Sequence, residues 1–406
     1  MIPYSEERHI LTRRQFLNRS ALNLGAAALS ASPAAGLLAA DGPAVPQSLP
    51  WTRREKALLN NCPAAQPWFH HSFYSPCVIF AQGRFHLWFE GTDVLPALNQ
   101  GRIGYAQSDD GIDWKLHPAN PVLAADQLPF KASNLSTPCV LFDEDEQIYK
   151  MWFVATTKSV RSEKEVIEDQ DLGYATSKDG IAWKFHDKVL VEKCRRPCVR
   201  KENGRYRMWM NARPKQTDSF AVGYRHVYEY ESADGIAWTR REKPAIVAGG
   251  ITKSCVYPCV LKVGATYYMW HIGHLAKPDR EAYIDIFCDT SDDGTTWRTN
   301  HETAAFVAAR DRSRWDWKLV STPCVVEVGD ELYLYYMGSN IPVNFNFFTG
   351  GDKNFGMHLG LAVMPKNKLV AAQRTSPQDK ASPLPTKPPT SSSSAPTTSG
   401  AMARHL

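Results

Sequence analysis

The tripeptide Pro-Cys-Val occurs five times, at Pro76-Cys77-Val78, Pro138-Cys139-Val140, Pro197-Cys198-Val199, Pro258-Cys259-Val260 and Pro323-Cys324-Val325. The steps between copies are 62, 59, 61 and 65 residues. A period of this length marks a repeat architecture, in which a supersecondary unit that cannot bury its apolar face alone stacks against its neighbours. Any fold assigned to the chain has to accommodate five such units.

Each copy opens a longer pattern. A few polar residues follow it, then an aromatic-rich run: Phe85–Phe89, Tyr149–Phe153, Tyr206–Met210, Tyr267–His271 and Leu332–Tyr336. A third run comes next, such as Ile103-Gly104-Tyr105-Ala106 or Leu172-Gly173-Tyr174-Ala175. Four of the units end in Ser-x-Asp-Gly-x-x-Trp, with the turn at Asp110-Gly111, Asp179-Gly180, Asp234-Gly235 and Asp293-Gly294 and the tryptophan at Trp114, Trp183, Trp238 and Trp297. Asp-Gly between two β-rich runs is a hairpin signal, because glycine accepts the positive φ of a tight turn. The tryptophan opens a fourth strand. Four short strands repeated five times predict an all-β, five-bladed β-propeller with four-stranded blades.

The fifth unit ends at Leu359-Gly360-Leu361-Ala362-Val363, with no Asp-Gly-x-x-Trp after it. The missing strand has a counterpart at the other end of the chain. Trp51-Thr52-Arg53-Arg54-Glu55-Lys56 matches Trp238-Thr239-Arg240-Arg241-Glu242-Lys243, the outer strand of blade three. The N-terminal strand is therefore expected to join the last blade and close the ring, which removes an exposed sheet edge.

Residues 51–365 make up this propeller, about 60 residues per blade, with no room for a second domain. Residues 1–40 are expected to be an export signal: Thr12-Arg13-Arg14-Gln15-Phe16-Leu17 carries a twin arginine, followed by an Ala-rich apolar run to Ala40. A periplasmic or secreted location follows from that signal. Residues 366–406 are rich in Pro, Ser, Thr and Lys and are expected to form a disordered tail. No later stretch approaches ~20 apolar residues, so no membrane span is expected. The formal net charge of +5 comes without a basic run interleaved with aromatics, which argues against a nucleic-acid partner. A monomer is the expected state.

The nine cysteines are an odd number. Five recur at one repeat position, where a small apolar group fits the crowded axis, so buried thiols are expected there. Cys194 and Cys255 share a second repeat position on adjacent blades, which leaves a disulfide between them open.

In a propeller the loops before each inner strand and after each second strand line one mouth of the central channel. The Asp-Gly turns lie at the opposite face and are structural. The repeats serve as an internal alignment of the mouth positions. Glu90 follows the aromatic run of blade one, where the other blades carry Val154, Asn211, Ile272 and Met337. A carboxylate among such equivalents is a functional candidate. Trp315-Asp316-Trp317 precedes blade five, and an acid between two aromatics suits a sugar-binding rim. Glu192 is a third carboxylate of the mouth. Glu90 and Asp316 are thus the expected catalytic pair, with Glu192 in reserve. The basic and aromatic candidates for substrate binding are His71, Arg195, Arg196, Asn211, Tyr257, His271 and Trp315, with Lys253, Arg312, Arg314 and Lys318 nearby in sequence. Arginine pairs suit carboxylate, sulfate or phosphate groups. His271 and His274 are three apart on an extended strand and so point to opposite faces. No metal site and no cofactor is expected.

The repeat, with its Tyr-x-Met-Trp runs (Tyr149–Trp152, Tyr206–Trp209, Tyr267–Trp270) and Ser-x-Asp-Gly-x-x-Trp ends, resembles the five-bladed glycoside hydrolase superfamily of arabinanases, β-xylosidases, invertases and β-mannoside phosphorylases. The resemblance spans about residues 51–365. It implies a saccharide pocket at the same mouth, with an Asp directly before the first and second inner-strand prolines and a Glu two residues before the third. This chain has Ser75, Thr137 and Arg195 at those places. Two expectations stand side by side. One is an exported, glycoside hydrolase-like enzyme with relocated carboxylates, acting on a saccharide that the arginines would allow to be acidic. The other is a non-catalytic carbohydrate-binding propeller.

Overall fold

The computed structural model describes residues 49–59, 67–69, 72–92, 101–161, 166–213, 226–248, 252–275, 283–299, 301, 303–340 and 357–369. The expected signal segment, His71 and the chain beyond 369 lie outside these residues. A short strand, β1 (Thr52–Arg53), comes first. Blade one contains β2 (Ser72–Ala81), β3 (Arg84–Thr92), β4 (Arg102–Ser108) and β5 (Lys115–Leu116). Blade two contains β6 (Leu135–Asp143), β7 (Ile148–Arg161), β8 (Val166–Ser177) and β9 (Lys184–Phe185). Blade three contains β10 (Cys194–Glu202), β11 (Arg205–Ala212), β12 (His226–Ser232) and β13 (Thr239–Arg240). Blade four contains β14 (Thr252–Val263), β15 (Thr266–Leu275) and β16 (Ile286–Ser291). Blade five contains β17 (Leu319–Val328), β18 (Glu331–Ser339) and β19 (Met357–Pro365). All five sheets are antiparallel, and the inner strands of successive blades touch around a ring that returns from β17 to β2. The architecture is a five-bladed β-propeller.

Blade four departs from the four-strand pattern. Its outer segment forms two isolated bridges in place of a strand: Thr290 and Arg298 exchange backbone hydrogen bonds of 3.1 and 2.8 Å, and Ile286 pairs with Phe306. In blade five β1 takes the outer place, with Thr52 opposite Val363 and Arg53 opposite Ala362. Past β19 a helical turn at residues 366–369 continues the fold and buries Leu369, so the boundary placed at 365 moves at least to Leu369.

Two sets of contacts join the blades. Near the Asp-Gly face, the indole N–H of Trp88, Trp152 and Trp209 donates to the carbonyl of Gly180, Gly235 and Gly294 in the following blade, at 2.9, 2.8 and 2.9 Å. Tyr335 takes the tryptophan's place in blade five, and its hydroxyl reaches the Gly111 carbonyl of blade one at 2.9 Å. Trp270 faces blade five, which lacks the turn, and its indole N–H has no acceptor among the described residues. The turns themselves are held by their own side chains. In each, the Asp carboxylate accepts backbone N–H bonds, as from Ile112 and Asp113 to Asp110 at 2.8 and 2.9 Å, and the glycine sits at φ between 74 and 77°. Burial pushes all four carboxyls up, most strongly at Asp179 and Asp293, but those bonds outweigh it and hold Asp110, Asp179, Asp234 and Asp293 below the usual range.

The second set lies around the axis. The Val140, Val199, Val260, Val325 and Val78 amides donate to the sulfurs of Cys77, Cys139, Cys198, Cys259 and Cys324 at 3.1–3.2 Å, each bond crossing from one blade to the next. Burial pushes Cys198 and Cys324 up to about 12, so these thiols stay protonated and unreactive. Every described cysteine is a free thiol, Cys194 and Cys255 included, so the open disulfide between them is not formed.

Replacing Cys139 by Ala strands the buried Val199 amide, at a cost of about 1–3 kcal/mol. The denaturant midpoint should fall accordingly, with Cys139→Ser recovering part of the loss through its hydroxyl acceptor. An unchanged midpoint in Cys139→Ala would show that the ring contributes nothing to stability.

Candidate functional site

Each inner strand carries the same irregularity before its cysteine. The register with the second strand slips between Tyr74 and Cys77, Ser136 and Cys139, Arg195 and Cys198, Val256 and Cys259, and Ser321 and Cys324. The residue before each proline lies in the left-handed region: Ser75 at φ 48°, Thr137 at 45°, Arg196 at 59°, Tyr257 at 62° and Thr322 at 47°. Such backbone is costly for residues other than glycine, and more so for β-branched ones, and it persists only where surrounding structure enforces it. Here the bulge brings those five residues and their prolines together around the axis, lining a shallow depression. The Thr137 and Thr322 hydroxyls in this lining are buried and lack hydrogen-bond partners among the described residues.

Glu90 reaches this ring. The Ser75 hydroxyl and the Thr137 amide both donate to its Oε2, each at 3.4 Å. The side chain is only partly exposed, and burial raises its carboxyl to about 7, against the opposing pull of those two bonds and of the Arg196 and Arg195 charges. Its repeat equivalent Asn211 makes the same crossing, with Oδ1 accepting the Tyr257 amide at 3.3 Å. Asn211 is fully buried, and its Nδ2 is occupied by the Cys255 and His226 carbonyls at 2.7 and 3.1 Å. It therefore braces the strained backbone of Tyr257 and offers nothing to a ligand. Glu90 keeps an oxygen and some exposure for one.

The basic side of the mouth comes from blades three and four. The Arg196 guanidinium lies 3.8 Å from the centroid of the Tyr257 ring, which meets the Tyr74 ring edge-on at 5.6 Å. Arg195 sits in register opposite Asn211 and is partly exposed. Tyr74 was not singled out in the sequence, although it occupies the repeat position of Arg195. Burial holds its phenol far above the usual range, so it is a neutral hydrogen-bonding group. Asp171 was also missed. Its Oδ1 accepts the Lys193 amide at 2.8 Å, which fixes the entry to β10, the strand that carries Arg195 and Arg196.

The other sequence candidates lie elsewhere. Asp316 is fully buried and bonded to Arg53 of β1, to Arg314 at 3.2 Å and to the Tyr336 hydroxyl at 2.8 Å. Trp315 stacks on Tyr336, donates to the Glu55 carbonyl at 2.9 Å and covers Gly338 and Gly360. The expected rim is thus a structural cluster that docks β1 onto blade five, and the pairing of Asp316 with Glu90 is corrected. Arg53 lies 263 residues away in sequence, which is why local pattern could not reveal it. His271 is fully buried between blades three and four, against Asp289, and does not reach the mouth. Glu192 is exposed in the loop before β10. The structure therefore gathers Glu90, Arg195, Arg196 and Tyr257 around Ser75 and Thr137, with Asn211 beneath.

No family model matches the sequence. Two uncharacterized proteins of Mycobacterium tuberculosis are similar: one from strain CDC 1551 / Oshkosh, 26% identical over 63% of this chain and 83% of its own length, and one from strain ATCC 25618 / H37Rv, 25% identical over the same shares. Among solved structures, a β-1,2-mannobiose phosphorylase from Listeria innocua superimposes with TM-score 0.56 at 15% identity, over 81% of this chain and 100% of that one. The catalytic domain of a Coprinopsis cinerea GH62 α-L-arabinofuranosidase gives 0.53 at 14%, over 79% and 98%. A structure described under the GH130 mannoside phosphorylases, a family with hydrolases that target β-1,2-mannosidic linkages in Candida mannan, gives 0.56 at 15%, over 82% and 97%. The fold is that of the glycosidase propellers.

Asp316→Asn should cost about 3–5 kcal/mol, because it leaves a buried cluster with its arginines unopposed. A denaturant midpoint equal to wild type would return Asp316 to the reactive acids. Glu90 behaves in the opposite way. A carboxyl raised in the folded state stabilises fully below its unfolded value and loses that contribution as pH rises towards 7. Glu90→Gln should therefore match the wild-type melting temperature near pH 4 and exceed it above pH 7. A difference independent of pH would show that Glu90 is an ordinary solvated acid.

Proposed function

We propose that this propeller binds a saccharide over the channel mouth and acts on a glycosidic bond, with Glu90 as the acid that protonates the leaving oxygen. The observation that carries this reading is a carboxyl raised to about 7, hydrogen-bonded to the channel ring and keeping partial exposure. General acids work best with values near the operating pH. Arg195 and Arg196 would hold an anionic group, as in a uronate- or sulfate-bearing sugar. The twin arginine at Arg13-Arg14 makes export part of the same proposal.

Hydrolysis by the usual route uses two carboxyl groups. Among the described residues, Glu90 is the acid bonded to the channel ring. A lone acid beside two guanidiniums suits transfer to a bound anion that brings its own nucleophilic oxygen, and phosphorylases are among the structural neighbours by name. Ser75, Thr137 and Arg195 at the places where the resemblance implies acids favour a second reading, a saccharide-binding propeller without turnover.

The purified protein should be offered mannosides, arabinosides and uronate-bearing oligosaccharides, with and without inorganic phosphate, and released sugar and sugar phosphate measured. Glu90→Gln is expected to lower turnover by about 10²–10⁴-fold while binding persists. Arg196→Ala should weaken binding of the uronate-bearing oligosaccharides, and salt should do the same. Binding with no turnover under either condition would establish the second reading. Salt-independent binding of neutral sugars alone would remove the acidic ligand.

A further inference from the structure

Blade four buries a polar cluster against blade three. Cys255 on β14, His271 on β15, Asp289 on β16 and His301 beyond the Asp293-Gly294 turn share one space. The relative exposures of Cys255, His271 and Asp289 are all 0%, and that of His301 is 8%. The packing around them is apolar and includes Trp209, Val227 and Met269.

The repeat shows how unusual this is. At the position of Cys255, blades one, two and five carry Phe73, Leu135 and Val320. At the position of His271, the other blades carry Phe89, Phe153, Met210 and Tyr336. Asp289 pairs with Met269, and its counterparts are Ala106, Ala175, Tyr230 and Ala362. Blade four therefore has a thiol, an imidazole and a carboxylate at positions that are mostly apolar elsewhere. Buried polar groups of this kind are costly unless they compensate one another.

The donor atoms have a recognisable geometry. A ring nitrogen of each histidine and the Cys255 sulfur all lie within 4.8 Å of one another. The sulfur is 3.7 Å from His301 Nε2, and the Asp289 Oδ2 is 3.0 Å from His271 Nε2 and 3.7 Å from His301 Nε2. A tetrahedron built on zinc–sulfur and zinc–nitrogen bond lengths has edges of about 3.3–3.7 Å. The charges also balance: a divalent cation with one thiolate, one carboxylate and two neutral imidazoles sums to zero, as a dry interblade space requires.

We propose that Cys255, His271 and His301 hold a structural zinc ion in blade four against blade three, with the Asp289 carboxylate beside the two histidines supplying the second negative charge. Mixed thiolate and imidazole donors favour zinc over magnesium or calcium. The site has a mechanical use here, since the outer segment of blade four is held by isolated bridges at Arg298 and Phe306 and the cation would tie His301, which lies between them, back to the inner strand.

The full-length protein, purified without chelator and dialysed against micromolar zinc, should carry about one zinc per chain by elemental analysis. Chelation should lower its melting temperature, and zinc should restore it. Cobalt(II) in place of zinc should give tetrahedral visible bands and a sulfur-to-metal charge-transfer band, with Cys255→Ser losing the latter and His301→Ala losing stoichiometric metal. Wild-type protein that holds no zinc after dialysis, gives no cobalt bands and melts independently of chelator would overturn the proposal and leave a buried His–Asp ion pair. These readouts need no turnover and do not depend on the reading of Glu90.

Discussion

Five blades become one ring through a hydrogen bond that recurs five times, from the amide of the valine in each Pro-Cys-Val to the cysteine sulfur of the preceding blade. A thiol is small enough for the axis, apolar enough to be buried there, and still a weak acceptor. Alanine would leave the amides unsatisfied. The fifth bond runs from Val78 in blade one to Cys324 in blade five, so the ends of the repeat array are joined by the same chemistry as its middle. The Trp-to-glycine bonds and the Tyr335 bond add a second set of links near the Asp-Gly face, which is open between blades four and five, where the Trp270 indole has no acceptor among the described residues.

The mouth depends on the same inner strands. With the cysteine fixed at the axis and the second strand fixed by its ladder, the bulge before each proline has to absorb the mismatch. It does so by forcing the preceding residue to positive φ. Strain repeated at five equivalent places is a property of the scaffold, and by itself it identifies no function. What differs from blade to blade is the side chain displayed there: hydroxyls from blades one, two and five, Arg196 from blade three and Tyr257 from blade four. Glu90 and Asn211 show how one repeat position can diverge. Both accept an amide from the next blade, but only Glu90 combines that bond with a raised carboxyl and open space.

The outer side of the molecule is held differently. Arg53 on β1 reaches Asp316 while its guanidinium lies 4.3 Å from the centroid of the Phe306 ring, so a charge pair and an aromatic contact together dock the N-terminal strand. Blade three and blade four meet across Cys255, His271, Asp289 and His301. Asp316 and His271 are functional in appearance and structural in place, because a buried acid or base needs a partner and each has found one, Arg53 of the N-terminal strand for Asp316 and Asp289 of the adjacent strand for His271.

The sequence by itself determined the repeat, the five blades, the Asp-Gly turns and the ring of thiols. These follow from spacing and from residue types that act within one unit or between identical units. It also marked Glu90, because an internal alignment exposes a carboxylate where other blades are mostly apolar. Tertiary structure alone decided what surrounds each candidate. Asp316 was expected at a sugar rim and is neutralised by Arg53, a partner far away in the chain. His271 was placed at the mouth, but its side of the strand faces blade three. A strand's period of two says that neighbouring side chains alternate, but only the packed neighbour determines which side meets the channel and which meets another blade.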